Sequence, residues 1–371
     1  MKKLNSKSMK SGMIALLLSS QALMTPFVAY AEETTAAEVQ SEMAQENEAE
    51  ETEVAESAEA VESGEVAESS EVAESGEAST TPKLSEEELR SQIKDYGTKI
   101  TVKGKQMNVL ELGKEHQGQN KTLVFMPGLG EASQPLTQKN LLDRLAENFH
   151  ILVVEPFGYG LSDNTDEPRT SENIINELHE ALQQFDVSEY VLVAHSLSGI
   201  YAMEYAKQFP EEVKGIVGMD TSTPMMNGYM DMGHMEAPVD EEGNALYLPE
   251  IPDVDDEVNE QYKLIAQLNL NNTATTDEAE RSNQVLLDAK DEKIPAGIPA
   301  LYLLAQDSYD DIEMRREFMD QITMDWEEQH VDMSENPDEV ETHVLDGDHL
   351  LYFTQYEEMA KLITEFVMNL K

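Results

Sequence analysis

Residues 190 to 210 read YVLVAHSLSGIYAMEYAKQFP, and this stretch decides how the rest of the chain is read. Tyr190 to Ala194 is a short apolar, β-branched run of the kind that fills a buried strand, and Ala202, Tyr205, Ala206 and Phe209 then share one face at helical spacing. The strand therefore turns straight into a helix. Between them lies Ala194-His195-Ser196-Leu197-Ser198-Gly199, with small residues two before and two after one serine. A tight strand-to-helix turn demands that spacing, because a bulky side chain at either place would strike the crowded backbone. The helix N-terminus brings free N–H groups and its positive dipole end to the Ser196 hydroxyl, where a developing oxyanion is steadied. Taken alone, the stretch also fits a plainer alternative, a buried helix start with a capping serine.

At the start of the chain, Lys2, Lys3, Lys7 and Lys10 precede the apolar run Met13 to Val28, and Ala29-Tyr30-Ala31 offers a small-x-small site. Residues 1–31 are therefore expected to be a secretory signal peptide cleaved after Ala31. Ser19, Ser20, Gln21 and Pro26 interrupt the run, so no membrane span is expected after cleavage. The chain has no Cys, and an exported protein without disulfides must hold itself together by its core alone. From Glu32 to Thr80 there are 17 Glu, no Lys or Arg, and recurrent EVAES units at Glu53, Glu65 and Glu71. Such a segment buries too little apolar surface to offset its ordering entropy, so residues 32–82 are expected to form a disordered acidic spacer. Its repeats are too short and polar for a solenoid.

What remains, residues 83–371, is about 290 residues, enough for one large α/β domain with an insertion. Beyond residue 80 the chain carries 58 acidic against 21 basic residues, which argues against nucleic acid and anionic membrane surfaces as partners. Ser85 with Glu86, Glu87 and Glu88 predicts a capped helix, and Lys99 to Val102 and Gln106 to Leu112 predict a hairpin turning at Lys103-Gly104-Lys105. Strands are then predicted at Thr122 to Met126, Ile151 to Val154, Tyr190 to Ala194, Val213 to Met219, Ala300 to Leu304 and Val340 to Leu345. Helices fall at Leu136 to Asn148, Ser171 to Phe185 and Tyr356 to Leu370. This alternation implies an α/β class fold, a mostly parallel sheet with helices on both faces. Ligands in such sheets bind beyond the carboxyl ends of the strands, where Ser196 lies.

The serine turn resembles the nucleophile elbow of the α/β-hydrolase superfamily, usually G-x-S-x-G, with Ala194 and Ser198 replacing the two glycines. In that resemblance Phe125-Met126-Pro127-Gly128-Leu129-Gly130 takes the place of the H-G-x-G loop, Pro127 standing for the usual His, and the N–H groups of Leu129 and Leu197 are expected to form an oxyanion hole. Glu155 to Asp163, EPFGYGLSD, resembles the D-x-x-G-x-G-x-S turn, whose role is mainly structural and to which no catalytic part is given. The base is expected at His349, on the loop Gly347-Asp348-His349 after the last strand. Of the other histidines, His116, His150, His179, His234, His330 and His343 fall in surface, strand or cap contexts, and His195 is expected to face away from the site. The acid is expected at Asp307, its usual place after the Ala300 to Leu304 strand, with Asp310 and Asp311 close enough to substitute. Asp220 is the alternative, at the end of the preceding strand.

A cap insertion is expected at about 222–298, with Met225, Met226, Met230, Met232 and Met235 early in it and helices at Val258 to Leu268 and Glu278 to Leu287. Such thioethers suit an adaptable apolar pocket and equally suit packing within the cap. No metal ligand spacing is visible, and the resemblance implies no cofactor. It implies a serine hydrolase acting on a small-molecule acyl substrate, an ester before an amide or peptide, and the expected signal peptide makes it an exported one. A non-catalytic surface binding module is the reading from another class.

Overall fold

The structure is a computed structural model that describes residues 84–230, 239, 244, 245 and 248–371. The expected signal peptide and acidic spacer lie outside the described residues. Ser85 accepts the Glu88 N–H and receives the Glu88 carboxylate in return, a capping box that starts α1 (Glu86–Gln92). Lys103 and Gly104 both sit at positive φ, 49° and 80°, and form the two-residue turn between β1 (Thr98–Val102) and β2 (Lys105–Leu112). After them come β3 (Thr122–Met126), α2 (Gln134–Thr137), α3 (Lys139–Leu145), β4 (Ile151–Glu155), α4 (Ser171–Leu182), β5 (Tyr190–His195), α5 (Ser198–Gln208) and β6 (Val213–Met219). The insertion carries α6 (Asp256–Asn269) and α7 (Thr273–Asp288). The chain then adds β7 (Ala300–Ala305), α8 (Gln306–Arg316), α9 (Trp326–Asp332), β8 (Val340–Leu345), α10 (Leu351–Thr354) and α11 (Tyr356–Asn369).

The eight strands form one sheet in the order β1-β2-β4-β3-β5-β6-β7-β8. The pairs β1 with β2 and β2 with β4 run antiparallel, and every later pair runs parallel. All residues of β3, β5 and β7 are buried, as expected for strands covered on both faces. Alternate residues feed two cores. Leu192, Ala194 and Tyr302 pack with Ile174, Leu178 and Met203 of α4 and α5, while Val191, Val193 and Leu303 pack with Leu141, Met359 and Ile363 of α3 and α11.

Two departures from the expected elements bear on the site. The helix expected from Leu136 to Asn148 is broken at Gln138, whose φ of −101° and ψ of 13° lie outside the helix region. Between β7 and β8, where no element was expected, the chain forms α8 and α9. Helix α8 buries only Ile312, so it has no apolar stripe for a periodicity argument to find.

The turn after β4 shows how tightly the strand ends are packed. Glu155 is buried and accepts hydrogen bonds from the Leu161 N–H at 2.9 Å, Asn108 Nδ2 at 2.9 Å and the Tyr96 hydroxyl at 2.7 Å. Gly160 sits at φ 51°, and a Cβ there would lie 1.8 Å from Glu155 Oε1. Gly160→Ala combines left-handed strain with displacement of a buried carboxylate, and we predict a loss of about 3 kcal/mol in urea unfolding. A loss under about 0.5 kcal/mol would show that the turn adapts.

Candidate active site

Ser196 occupies the elbow with φ 55°, between the last residue of β5 and the first of α5. A non-glycine residue in this region carries strain that the surroundings must hold. They hold it through the Ser196 N–H to Met219 O at 3.2 Å, and through the Gly199 and Ser222 N–H groups, which donate to Ser196 O at 3.0 and 2.9 Å. The small residues have individual reasons. A Cβ at Gly199 would lie 2.4 Å from Thr221 Cβ, and one at Gly128 would lie 2.5 Å from His195 Nδ1 and 3.2 Å from Ser196 Cβ. Ser198, which departs from the family's glycine, donates its hydroxyl to Pro127 O and so stitches the elbow to the loop after β3.

In that loop the Gly128 N–H donates to Glu131 Oε2 at 3.0 Å and the Gly130 N–H to the Tyr159 hydroxyl at 3.1 Å. Among the described residues, the N–H groups of Leu129 and Leu197 have no hydrogen-bond partner. These are the two donors expected for an oxyanion hole, left free while the N–H groups of Gly128 and Gly130, on either side of Leu129, are committed.

His349 Nδ1 donates to Asp220 Oδ2 at 2.7 Å. Its other ring nitrogen, Nε2, is buried without a partner among the described residues. Asp220, at φ 42°, also accepts Ser308 Oγ on Oδ2 at 2.7 Å, and the Ala305 N–H and Trp326 Nε1 on Oδ1 at 2.9 and 3.1 Å. Burial alone would raise the Asp220 pKa, but the hydrogen bonds from His349, Ser308 and Ala305 hold it below the ordinary Asp value.

The structure brings Asp220, the alternative, to His349 and does not bring Asp307. Asp307, expected beside His349, sits exposed in the first turn of α8, and its hydrogen bond is from its own N–H to Gly347 O at 3.2 Å. The chain enters the helix at Gln306, directly after β7, so no loop remains to carry Asp307 to the imidazole. Partial burial and the neighbouring Asp348, Asp310 and Asp346 raise its pKa, the opposite of a carboxylate held by a histidine. Sequence reasoning missed Ser308 and Trp326 altogether. The only advance signal was that Trp326 is the chain's single tryptophan.

His195 also departs from expectation. It does not face away: its Nε2 donates to His349 O at 3.1 Å, and its ring lies 4.6 Å from the His349 ring. Nδ1 is 3.7 Å from Glu131 Oε2. Burial would raise the Glu131 pKa, but His195 and Thr137 hold it lowered.

Beside Asp220 and His349 is a cavity of about 100 Å³ lined by Met226, Tyr229, Met230, Ile312 and Trp326. Two of the expected pocket methionines thus face it, and Met232 and Met235 lie outside the described residues. No group of His, Asp or Glu that could hold a metal occurs among the described residues. No helix among them is long and apolar enough to cross a membrane.

A family model described as the alpha/beta hydrolase fold matches residues 121–301. This chain has the α/β-hydrolase fold. It is 35% identical over 133 residues to the uncharacterized protein YbdG of Bacillus subtilis, a match spanning 36% of this chain and 40% of that one. It is 31% identical over 110 residues to the cis-3-alkyl-4-alkyloxetan-2-one decarboxylase of Shewanella oneidensis, covering 29% of this chain and 34% of that one. The chain therefore matches less than half the length of these relatives. Among solved structures, ALR0039 from Nostoc sp PCC 7120, a proposed alpha/beta hydrolase, superposes with a TM-score of 0.54 at 14% identity, over 73% of this chain and 97% of that one. A proposed epoxide hydrolase from Pseudomonas aeruginosa gives a TM-score of 0.53 at 14% identity, over 74% of this chain and 95% of that one. At such identities the likeness is one of fold.

The Asp220 pairing makes a prediction about pH. Its pKa is lower folded than unfolded, so its contribution to stability is present above the ordinary value of 3.8 and lost as pH falls below it. Urea unfolding of the protein and of Asp220→Asn should show a stability gap at about pH 7 that shrinks below about pH 4. A gap that stays constant over this range would mean the carboxylate is not held ionised.

Proposed function

We propose that this chain is an exported serine hydrolase that cleaves a carboxylic ester through an acyl-enzyme on Ser196, with His349 as base and Asp220 as acid. The observation that carries the reading is the 2.7 Å His349–Asp220 pair, which leaves His349 Nε2 unpartnered in the same site as a serine on a strained elbow. Asp220 fixes the tautomer with the proton on Nδ1, so Nε2 is the nitrogen able to accept one. Export is inferred from the basic, apolar and small-residue order of residues 1–31.

In this mechanism Ser196 Oγ bonds to the carbonyl carbon and its proton passes to His349 Nε2. The carbonyl electrons move onto oxygen, which accepts hydrogen bonds from the Leu129 and Leu197 N–H groups. As the tetrahedral intermediate collapses, the C–O bond to the alcohol breaks and His349 returns the proton to the departing oxygen. Water then attacks the acyl-enzyme by the same route, giving the carboxylic acid and free Ser196. An ester is favoured because it is the least demanding acyl donor for this machinery. The Met226, Tyr229 and Met230 cavity supplies apolar surface beside the base.

Hydrolysis of a p-nitrophenyl ester series provides the test. Ser196→Ala should abolish turnover, Asp220→Asn should lower kcat by about 10⁴-fold, and Asp307→Asn should stay within about twofold. Loss with Asp307→Asn and not with Asp220→Asn would overturn the acid assignment. If esters are not turned over while a fluorophosphonate still labels Ser196, the substrate is an amide or peptide. If the serine is not labelled either, the fold serves as a binding module.

A further inference from the structure

The turn Glu155 to Asp163 was read from sequence as structural, yet its central residue joins the oxyanion loop to the cap. We propose that Tyr159 is a positioning residue that ties the loop carrying Leu129 to the cap helix α7, so that the seating of the cap sets the geometry of the oxyanion hole. The proposal rests on the reading of Leu129 as an oxyanion donor.

Tyr159 is buried, and its hydroxyl accepts the Gly130 N–H at 3.1 Å and donates to Glu278 Oε2 at 2.9 Å. A phenol has one proton to give, so its donor is committed to the cap carboxylate while an oxygen lone pair holds the loop. Glu278 is itself only 4% exposed, and its second oxygen accepts the Tyr201 hydroxyl of α5 at 3.1 Å. One carboxylate from the cap thus grips both the turn after β4 and the helix that begins at the elbow. The residues flanking Tyr159 are gripped too. Asn272 Nδ2 donates to Gly158 O at 2.8 Å, and Asn269 Nδ2 donates to Gly160 O at 2.7 Å. A Cβ at Gly158 would come within 2.6 Å of Ala274 Cβ, so the start of α7 is seated directly on this turn.

The consequence for the loop is geometric. Fixing the Gly130 N–H fixes the peptide plane that also carries the Leu129 carbonyl, and the Gly128 N–H is fixed on the other side by Glu131. With both flanking planes anchored, the rotation left to the Gly128–Leu129 peptide, which carries the Leu129 N–H, is restricted. Removing the Tyr159 hydroxyl releases one anchor and leaves the loop free to rotate. Burial raises the Glu278 pKa, and the fully buried Arg169, which holds Glu177 through Nη1 at 2.8 Å, offsets part of that cost.

The rate at which a fluorophosphonate labels Ser196 tests this without knowledge of the substrate. In that reaction Ser196 Oγ bonds to phosphorus, fluoride leaves, the hydroxyl proton passes to His349, and the phosphoryl oxygen occupies the hole. Tyr159→Phe should label about 10- to 100-fold more slowly than the unaltered protein. In ester turnover it should lower kcat while KM stays within about twofold. Tyr205→Phe is the control, because it deletes another buried hydroxyl, bonded to Glu212 at 3.2 Å at the opposite end of β5, and should label at the unaltered rate. If Tyr159→Phe does not fold, Glu278→Gln keeps the shape and weakens the hold on Tyr159, and should label about threefold to tenfold more slowly. Labelling of Tyr159→Phe within twofold of the unaltered protein would overturn the inference and leave the serine-hydrolase reading intact. If the unaltered protein is not labelled at Ser196, the reading and the inference fall together.

Discussion

Four hydrogen bonds converge on the carboxylate of Asp220, from the Ala305 N–H, Ser308 Oγ, Trp326 Nε1 and His349 Nδ1. They come from the end of β7, from α8, from α9 and from the loop before α10. A buried carboxylate without such donors costs several kcal/mol, so this one is tolerable only when all four segments are in place. The order of β6, β7 and β8 in the sheet and the chemistry at His349 are therefore one constraint. Helix α9 extends it: Gln329 accepts the Thr223 and Tyr229 hydroxyls, and His330 Nε2 lies 2.9 Å from Thr221 O, so Thr221 and Thr223, just after Asp220, are held by this helix.

On the other side of Ser196 the same logic operates through backbone. Pro127 to Gly130 is tied by Ser198 to the elbow and by Tyr159 to Glu278 of the cap, while Glu131, which holds the Gly128 N–H, lies 3.7 Å from His195 Nδ1. His195 in turn donates to His349 O, so the two halves of the site meet through a residue adjacent to the serine. The backbone strain, φ 55° at the Ser196 elbow and φ 42° at Asp220 after β6, is sustained by these contacts.

The fold was legible in the sequence because strands buried on both faces leave continuous apolar runs. Thr122–Met126 and Val213–Met219 lie where those runs put them, and Ala194 and Ser198 did not hide the elbow. The site was legible only in part. Ser196 stands out by local spacing, and the resemblance with its chain order singles out His349 and the Leu129 loop. The acid is not singled out, because two aspartates satisfy the same order and the choice depends on whether the chain after β7 loops or coils. Helix α8 has no apolar stripe, so its presence, and with it the exposure of Asp307, could not be read from periodicity. Trp326 and Ser308 reach Asp220 across long separations of chain, and no local pattern records such contacts. The same holds for Tyr159, whose motif was visible and whose partner Glu278 lies 119 residues away.

The central claim is that Asp220 holds the His349 imidazole, and the Nδ1 proton between them reports on it directly. In the proton NMR spectrum that proton should give a far-downfield resonance that persists in Asp307→Asn and disappears in Asp220→Asn. A resonance that survives in Asp220→Asn and is lost in Asp307→Asn would contradict the account.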